Sequence, residues 1–180
     1  FSSKITIPPP ADRHSFVRRG FIKDRGGDIL AASVECRSLY ANPQEIVQTE
    51  DTAAKIASAL GLNSEYVLSR LARTRKRFVW IKRKLTEEEL SRVTDLNLPG
   101  IHFKREYTRV YPHGTLAAHL LGFVNADNQG MEGLEYKYDD VLTSFRDDAG
   151  AAGDNSFRAG NSLVLTIDRV MQYTAEKELK

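Results

Sequence analysis

A single cysteine, Cys36, rules out any disulfide within this chain. A lone thiol does not identify the compartment, because exported proteins also exist without disulfides. No apolar run comes near the ~18–20 residues needed to cross a bilayer. No signal-peptide pattern and no initiating Met occur among these 180 residues. The chain starts at Phe1 and stops at Lys180 inside an expected helix, so a piece of a longer protein is expected. Nucleophile motifs are missing too. No Gly-Xaa-Ser-Xaa-Gly occurs, and no Ser-Xaa-Xaa-Lys sets a lysine one helical turn from a serine. Gly26-Gly27 precedes a strand candidate, not a helix, so it is not a phosphate-binding loop.

What remains is ordinary globular material. The 180 residues are 41% hydrophobic and 28% charged, enough for one domain or one domain plus a fragment. The net charge of +2 argues against a strong global field for nucleic acid. No internal repeat is present.

The stretch Arg109–Glu135 concentrates special positions. Gly114, Gly122, Gly130 and Gly133 punctuate it, with a Pro112-His113-Gly114 turn and an Asp127-Asn128-Gln129-Gly130 turn. Glycine is used where φ is positive or backbones approach closely. Between the turns lie a short apolar helix candidate and a strand candidate, and a second helix is expected to start near Gly130 and run to Leu142. The pattern predicts a junction where several segments meet.

Elsewhere the elements alternate. Pro8-Pro9-Pro10 makes residues 1–18 an extended linker. Residues 21–24 and 28–31 flank Arg25-Gly26-Gly27 as a hairpin, and 38–41 form a third strand candidate. Helices are expected at 49–60, capped by Thr49 and ended by Gly61, and at 64–73 behind Asn63. Residues 77–84 read as a strand. Thr86 to Glu89 match a capping box. Residues 101–111 alternate as a strand, the polar, glycine-rich 144–160 form a loop or a twisted hairpin, 162–167 form a β-like run, and Asp168 caps a helix through Lys180. The fold class is α+β, with residues 49–98 as a projecting lobe.

Three chemistries are open to these side chains. His113, His119 and Asp127 could make a three-ligand metal site of a hydrolase, but six-residue spacing does not place two histidines on one helix face. Structural roles for these residues are favoured. Asp24, Asp28, Asp127, Glu132 and Glu135 could include an acid/base pair, yet each has a local role as turn residue, helix start or arginine partner. Arg70, Arg73, Arg75, Lys76, Arg77, Lys82, Arg83 and Lys84 interleave with Phe78 and Trp80. Such a run could bind single-stranded nucleic acid or another anionic surface. The favoured reading is a solvated face with Phe78 and Trp80 turned into the core.

Arg19-Gly20-Phe21-Ile22-Lys23-Asp24-Arg25-Gly26-Gly27-Asp28-Ile29-Leu30-Ala31 resembles the signature that opens class B penicillin-binding proteins. Arg109, Tyr111, Pro112, Gly114, His119, Gly122, Asp127, Gly130, Gly133 and Glu135 match their second signature. Residues 160–168, including Thr166 and Asp168, with Gln172 and Glu176, resemble the third. Gly26 departs from the usual Asn or Asp. Ala41-Asn42-Pro43 after Tyr40 is most similar to the division-type branch. The resemblance implies the pedestal, or dimerisation domain, over residues 19–160, with 161–180 opening a transpeptidase domain whose motifs do not occur here. It implies small twisted sheets with short helices, no cofactor and no catalytic residue in this piece. The parent would be a serine-type D,D-transpeptidase, extracytoplasmic and anchored by a preceding membrane helix. Implied partners are the parent's own transpeptidase domain, a polytopic peptidoglycan glycosyltransferase, other division or elongation proteins, and a second copy of the chain. Nucleic acid is not among them. Arg19, Asp24, Arg25, Arg109 and Glu135 are expected to form an ionic network.

Overall fold

A computed structural model describes residues 18–73, 75–144 and 159–179. Of the expected linker at 1–18, residues 1–17 lie outside the described residues, as do residues 145–158 of the segment 144–160. The architecture is α+β. The chain divides into two compact units, one from Phe1–Val34 with Tyr107–Lys180, the other from Glu35–Glu106.

In the first unit, β1 (Ile22–Lys23) runs antiparallel to β2 (Ile29–Ala41), with Ile22 opposite Ala31. Asp24 closes the hairpin: its Oδ1 accepts from the Gly26 and Asp28 N–H groups at 2.8 and 2.9 Å. β5 (Leu163–Val164) pairs parallel with β1. Three short helices follow the chain through the junction: α4 (Ala118–Leu121), α5 (Gly133–Lys137) and α6 (Asp139–Thr143). The core is Ile22, Leu30, Ala31, Ala117, Leu121 and Leu142. The final helix, α7 (Arg169–Glu178), starts at Asp168, whose Oδ1 accepts from the Val170 and Met171 N–H groups.

In the second unit, α1 (Thr49–Leu60), α2 (Ser64–Leu71) and α3 (Glu87–Asp95) share a core with the end of β2 and with β3 (Val79–Leu85). Thr52, Ala53, Ile56, Ala57 and Leu60 are buried, the one-face spacing of an amphipathic helix. Burying a side chain such as Ile56 contributes about 1.5–3 kcal/mol. Asn63 caps α2 through the Glu65 and Tyr66 N–H groups. The capping box of α3 is complete, Glu89 N–H to Thr86 and Thr86 N–H to Glu89. β3 pairs antiparallel with β2, and β4 (Ile101–Val110) also pairs with β2.

Several local expectations change. The strands expected at 28–31 and 38–41 are one strand, β2, because its burial pattern switches along its length and so hides the period-two signal. Thr49 is the first residue of α1, not its cap; Gln48 holds the cap position without a side-chain bond. The run 162–167 has ladder partners at Leu163 and Val164 and follows the hairpin further, through the Leu165 N–H to the Lys23 carbonyl at 2.8 Å and the Arg25 N–H to the Ile167 carbonyl at 2.9 Å. The strand expected after α4 is one isolated bridge, Val124 to Gly130. The helix expected from Gly130 starts at Gly133 and breaks at Tyr138 (φ −114°, ψ 28°). Phe78 and Trp80 do not take the core. Strand alternation turns Val79 and Ile81 inward and leaves Phe78 36% exposed.

Candidate functional site: a buried arginine–glutamate joint

Glu135 is fully buried in the first unit. Its position on α5 points it between two arginines. Arg19 Nε donates to its Oε2 at 2.6 Å, and Arg109 Nε donates to its Oε1 at 2.7 Å. Arg19 also donates through Nη2 to the Glu135 carbonyl at 2.6 Å, and through Nη1 to the Asn128 carbonyl at 3.1 Å and Asp139 Oδ1 at 2.5 Å. Arg109 Nη1 reaches the Gly20 carbonyl at 2.7 Å and Ser33 Oγ at 3.2 Å. Two buried guanidinium groups therefore meet the buried Glu135 carboxylate and the partly exposed Asp139 carboxylate, so the charges of the joint balance. Burying an ion costs several kcal/mol, which only good geometry and added hydrogen bonds offset. Planar guanidinium forks supply that geometry.

The electrostatics follow from burial. Desolvation lowers the pKa of the Arg109 guanidinium, and the Glu135 carboxylate opposes it. Burial pushes the Tyr111 phenol up to about 12, with Glu135 adding to the effect. Tyr111 Oη donates to Glu135 Oε1 at 3.4 Å.

Backbone contacts lock the joint. Asp139 Oδ1 also accepts from the Gly130 N–H at 2.7 Å, and Asn128 Nδ2 donates to the Tyr107 carbonyl at 2.7 Å. At Gly122 a Cβ would collide with the Glu132 carbonyl group, and φ is +75°. At Gly130 a Cβ would strike the Glu135 carbonyl. Both positions are closed to side chains because one backbone lies directly on another.

The expected network thus contains Arg19, Arg109 and Glu135, with Asp139 as the second carboxylate. Asp24 and Arg25 fall outside it. Asp24 is buried at the hairpin, where its Oδ2 accepts from the Arg169 N–H at 3.0 Å; that bond foremost lowers its pKa. Arg25 is exposed, and only its backbone N–H is used, toward the Ile167 carbonyl at 2.9 Å. Gly20 supplies the carbonyl that Arg109 binds. Pro112 and Gly114 form the exposed turn after Tyr111, and Gly133 opens α5 against Gly122. Asp127 lies in the 125–129 turn, its N–H bonded to Asn125 Oδ1 at 2.9 Å. Thr166 is exposed. His113 and His119 are exposed, and among the described residues no group of three His, Cys, Asp or Glu could hold a metal.

Sequence reasoning missed Asn128, Asp139 and Ser33. Asn128 has a faint signal: it stands in a turn at φ +60°, where asparagine is tolerated. It also missed a second buried set, in the other unit. There Glu106 accepts from Ser38 Oγ and from Arg83 Nη2 at 2.7 Å, and the Lys84 N–H donates to Ser38 Oγ at 2.8 Å.

Residues 14–149 match the family described as Penicillin-binding Protein dimerisation domain. The chain is 33% identical over 178 residues to the peptidoglycan D,D-transpeptidase FtsI of Escherichia coli (strain K12), covering 89% of this chain and 30% of that protein. It is 34% identical to the probable peptidoglycan D,D-transpeptidase PbpC of Pseudomonas aeruginosa, covering 91% of this chain and 31% of that one. Among solved structures, a peptidoglycan synthetase from Bifidobacterium adolescentis is 27% identical with a TM-score of 0.51, over 91% of this chain and 38% of that chain. The chain spans under a third of the length of these curated relatives. On the match over 14–149, the chain belongs to the penicillin-binding protein dimerisation domain family.

Proposed function

We propose that this chain is the pedestal of a class B penicillin-binding protein and does no chemistry of its own. In this reading it positions a serine-type D,D-transpeptidase domain for peptidoglycan cross-linking during wall synthesis and division. It works outside the cytoplasm, with the full-length protein anchored in the membrane. The observation that carries the reading is the Glu135 joint, which ties Arg19, near the start of the described chain, to Arg109 and α5. Asp24, in the hairpin that follows Arg19, holds the first N–H of α7. A joint of this kind resists bending, as a spacer requires. The names of the relatives support the parent activity. Val170, Met171 and Tyr173 on α7 are 61%, 68% and 60% exposed, an apolar surface suited to a neighbouring domain. Docking of a polytopic glycosyltransferase or other division proteins belongs to the same proposal.

Fluorescent penicillin tests it. The isolated chain should take up no label, while the product of the whole parent reading frame should be acylated. Breaking the joint by Arg109→Met in that product should reduce cross-linking of wall substrate more than it reduces acylation. Covalent labelling of the isolated chain would defeat the proposal.

A further inference from the structure

The second unit carries a basic, aromatic surface that the joint does not use. Arg73, Arg75, Lys76 and Arg77 follow α2 and are all exposed. Lys82 pairs with Glu89 and Arg83 with Glu106. Among the described residues no carboxylate pairs with Arg73, Arg75 or Lys76, and Arg77 Nε donates only to the neutral Gln44 Oε1 at 3.2 Å. The net charge of the whole chain is +2, so this excess is local and the remainder is net acidic.

Beside these cations lies a ring cluster on the outer face of β2 and β3. Tyr40 stacks on Phe78 at 4.5 Å, and Phe78 meets Trp80 edge-on at 4.7 Å. Lys104 Nζ sits 5.5 and 5.4 Å from the Phe78 and Trp80 ring centroids. Glu45, at the edge of the cluster, is engaged by His102 at 2.8 Å.

We propose that Arg73, Arg75, Lys76 and Arg77, together with the Tyr40–Phe78–Trp80 cluster, form a docking site for an extended acidic segment of a partner protein. Guanidinium forks bind carboxylates with two bonds at once. Arginine and aromatic residues are the side chains that dominate protein interfaces. Base stacking fits less well, because the Tyr40 ring is already stacked with both Phe78 and His102. A lipid surface fits less well too, because the rings pack on one another along the sheet instead of projecting as an inserting wedge. The inference stands on this surface and does not depend on the pedestal role.

Trp80 is the only tryptophan, so its fluorescence reports on the site. The probe is a synthetic ten-residue peptide of alternating Glu and Asp with a central Leu, titrated into the whole chain. A saturable change in Trp80 emission is expected, weakening about tenfold or more as ionic strength rises from ~0.01 to ~0.15 M. The triple variant Arg73→Glu, Arg75→Glu, Lys76→Glu should bind about tenfold or more weakly. Its free-state emission and thermal midpoint should match the parent chain, because all three positions are exposed. Arg92→Glu, on exposed α3, should bind like the parent. The proposal is overturned if no saturable change occurs or if the triple variant binds equally well. It is also overturned if an oligodeoxynucleotide or phosphatidylglycerol vesicles act at lower concentration than the peptide.

Discussion

Arg109 donates through Nε to one carboxylate oxygen of Glu135 at 2.7 Å, with both side chains sealed from solvent. The partners are 26 positions apart in sequence and belong to a strand and a helix. The other carboxylate oxygen is held by Arg19. One carboxylate therefore orients two buried arginines, and Asp139, paired with Arg19, supplies the second negative charge.

Glu135→Gln should destabilise the chain by roughly 3–5 kcal/mol, since removing one partner of a buried ion set leaves charge uncompensated. Urea unfolding would measure it. A loss below about 1 kcal/mol would show that water reaches the site and shields the two arginines.

Tyr111 should be one of the last tyrosines to ionise. Its folded pKa of about 12 lies above the ordinary 10.0, so the folded state favours the neutral phenol. The stability this provides is complete below pH ~10 and is lost as pH rises toward ~12. In ultraviolet titration Tyr111→Phe should remove a late-ionising component. Its stability should also fall less steeply than that of the parent chain across that window.

Asp24 works in the opposite direction. The N–H groups of Arg169, Asp28 and Gly26 favour its charged form and lower its pKa. Its contribution is therefore present above the ordinary value of 3.8 and is lost as pH falls through the lower folded value. Asp24→Ala should lower the melting temperature at pH 7 and flatten the decline of melting temperature below pH 4. An unchanged acid limb would assign that decline to other carboxylates.

Gly122 and Gly27 form a matched test. Both have positive φ, +75° and +92°, yet a Cβ at Gly27 meets nothing within 4 Å, whereas at Gly122 it strikes the Glu132 backbone. Gly27→Ala should cost about 1–2 kcal/mol from the left-handed backbone alone. Gly122→Ala should cost clearly more, or prevent folding, because backbone cannot step aside. Equal melting temperatures would mean that the α4–α5 crossing is loose.

Much of the chain was legible because the signals were local. Asn63, Thr86, Asp168 and Gly61 mark helix ends through bonds or φ values that involve only their own neighbours. The Arg25-Gly26-Gly27 hairpin and the crowded glycines of Arg109–Glu135 were readable for the same reason. β2 was not, because Leu30, Ala31 and Ser33 are buried in one unit and Ser38, Leu39 and Ala41 in the other, with no single face along the strand. Strand alternation predicts that either Phe78 and Trp80 or Val79 and Ile81 face the core, and the register gives that place to Val79 and Ile81 rather than to the expected aromatic pair.

Residue order alone therefore settled where the hairpin turns and where α2, α3 and α7 are capped. It could not settle which carboxylate would answer Arg19. Asp24, Asp127, Glu135 and Asp139 have the same chemistry, and their choice depends on contacts across about a hundred residues of chain. Three-dimensional packing made that choice: it removed Glu135 from water between two guanidinium groups and left Asp24 to hold backbone N–H groups instead.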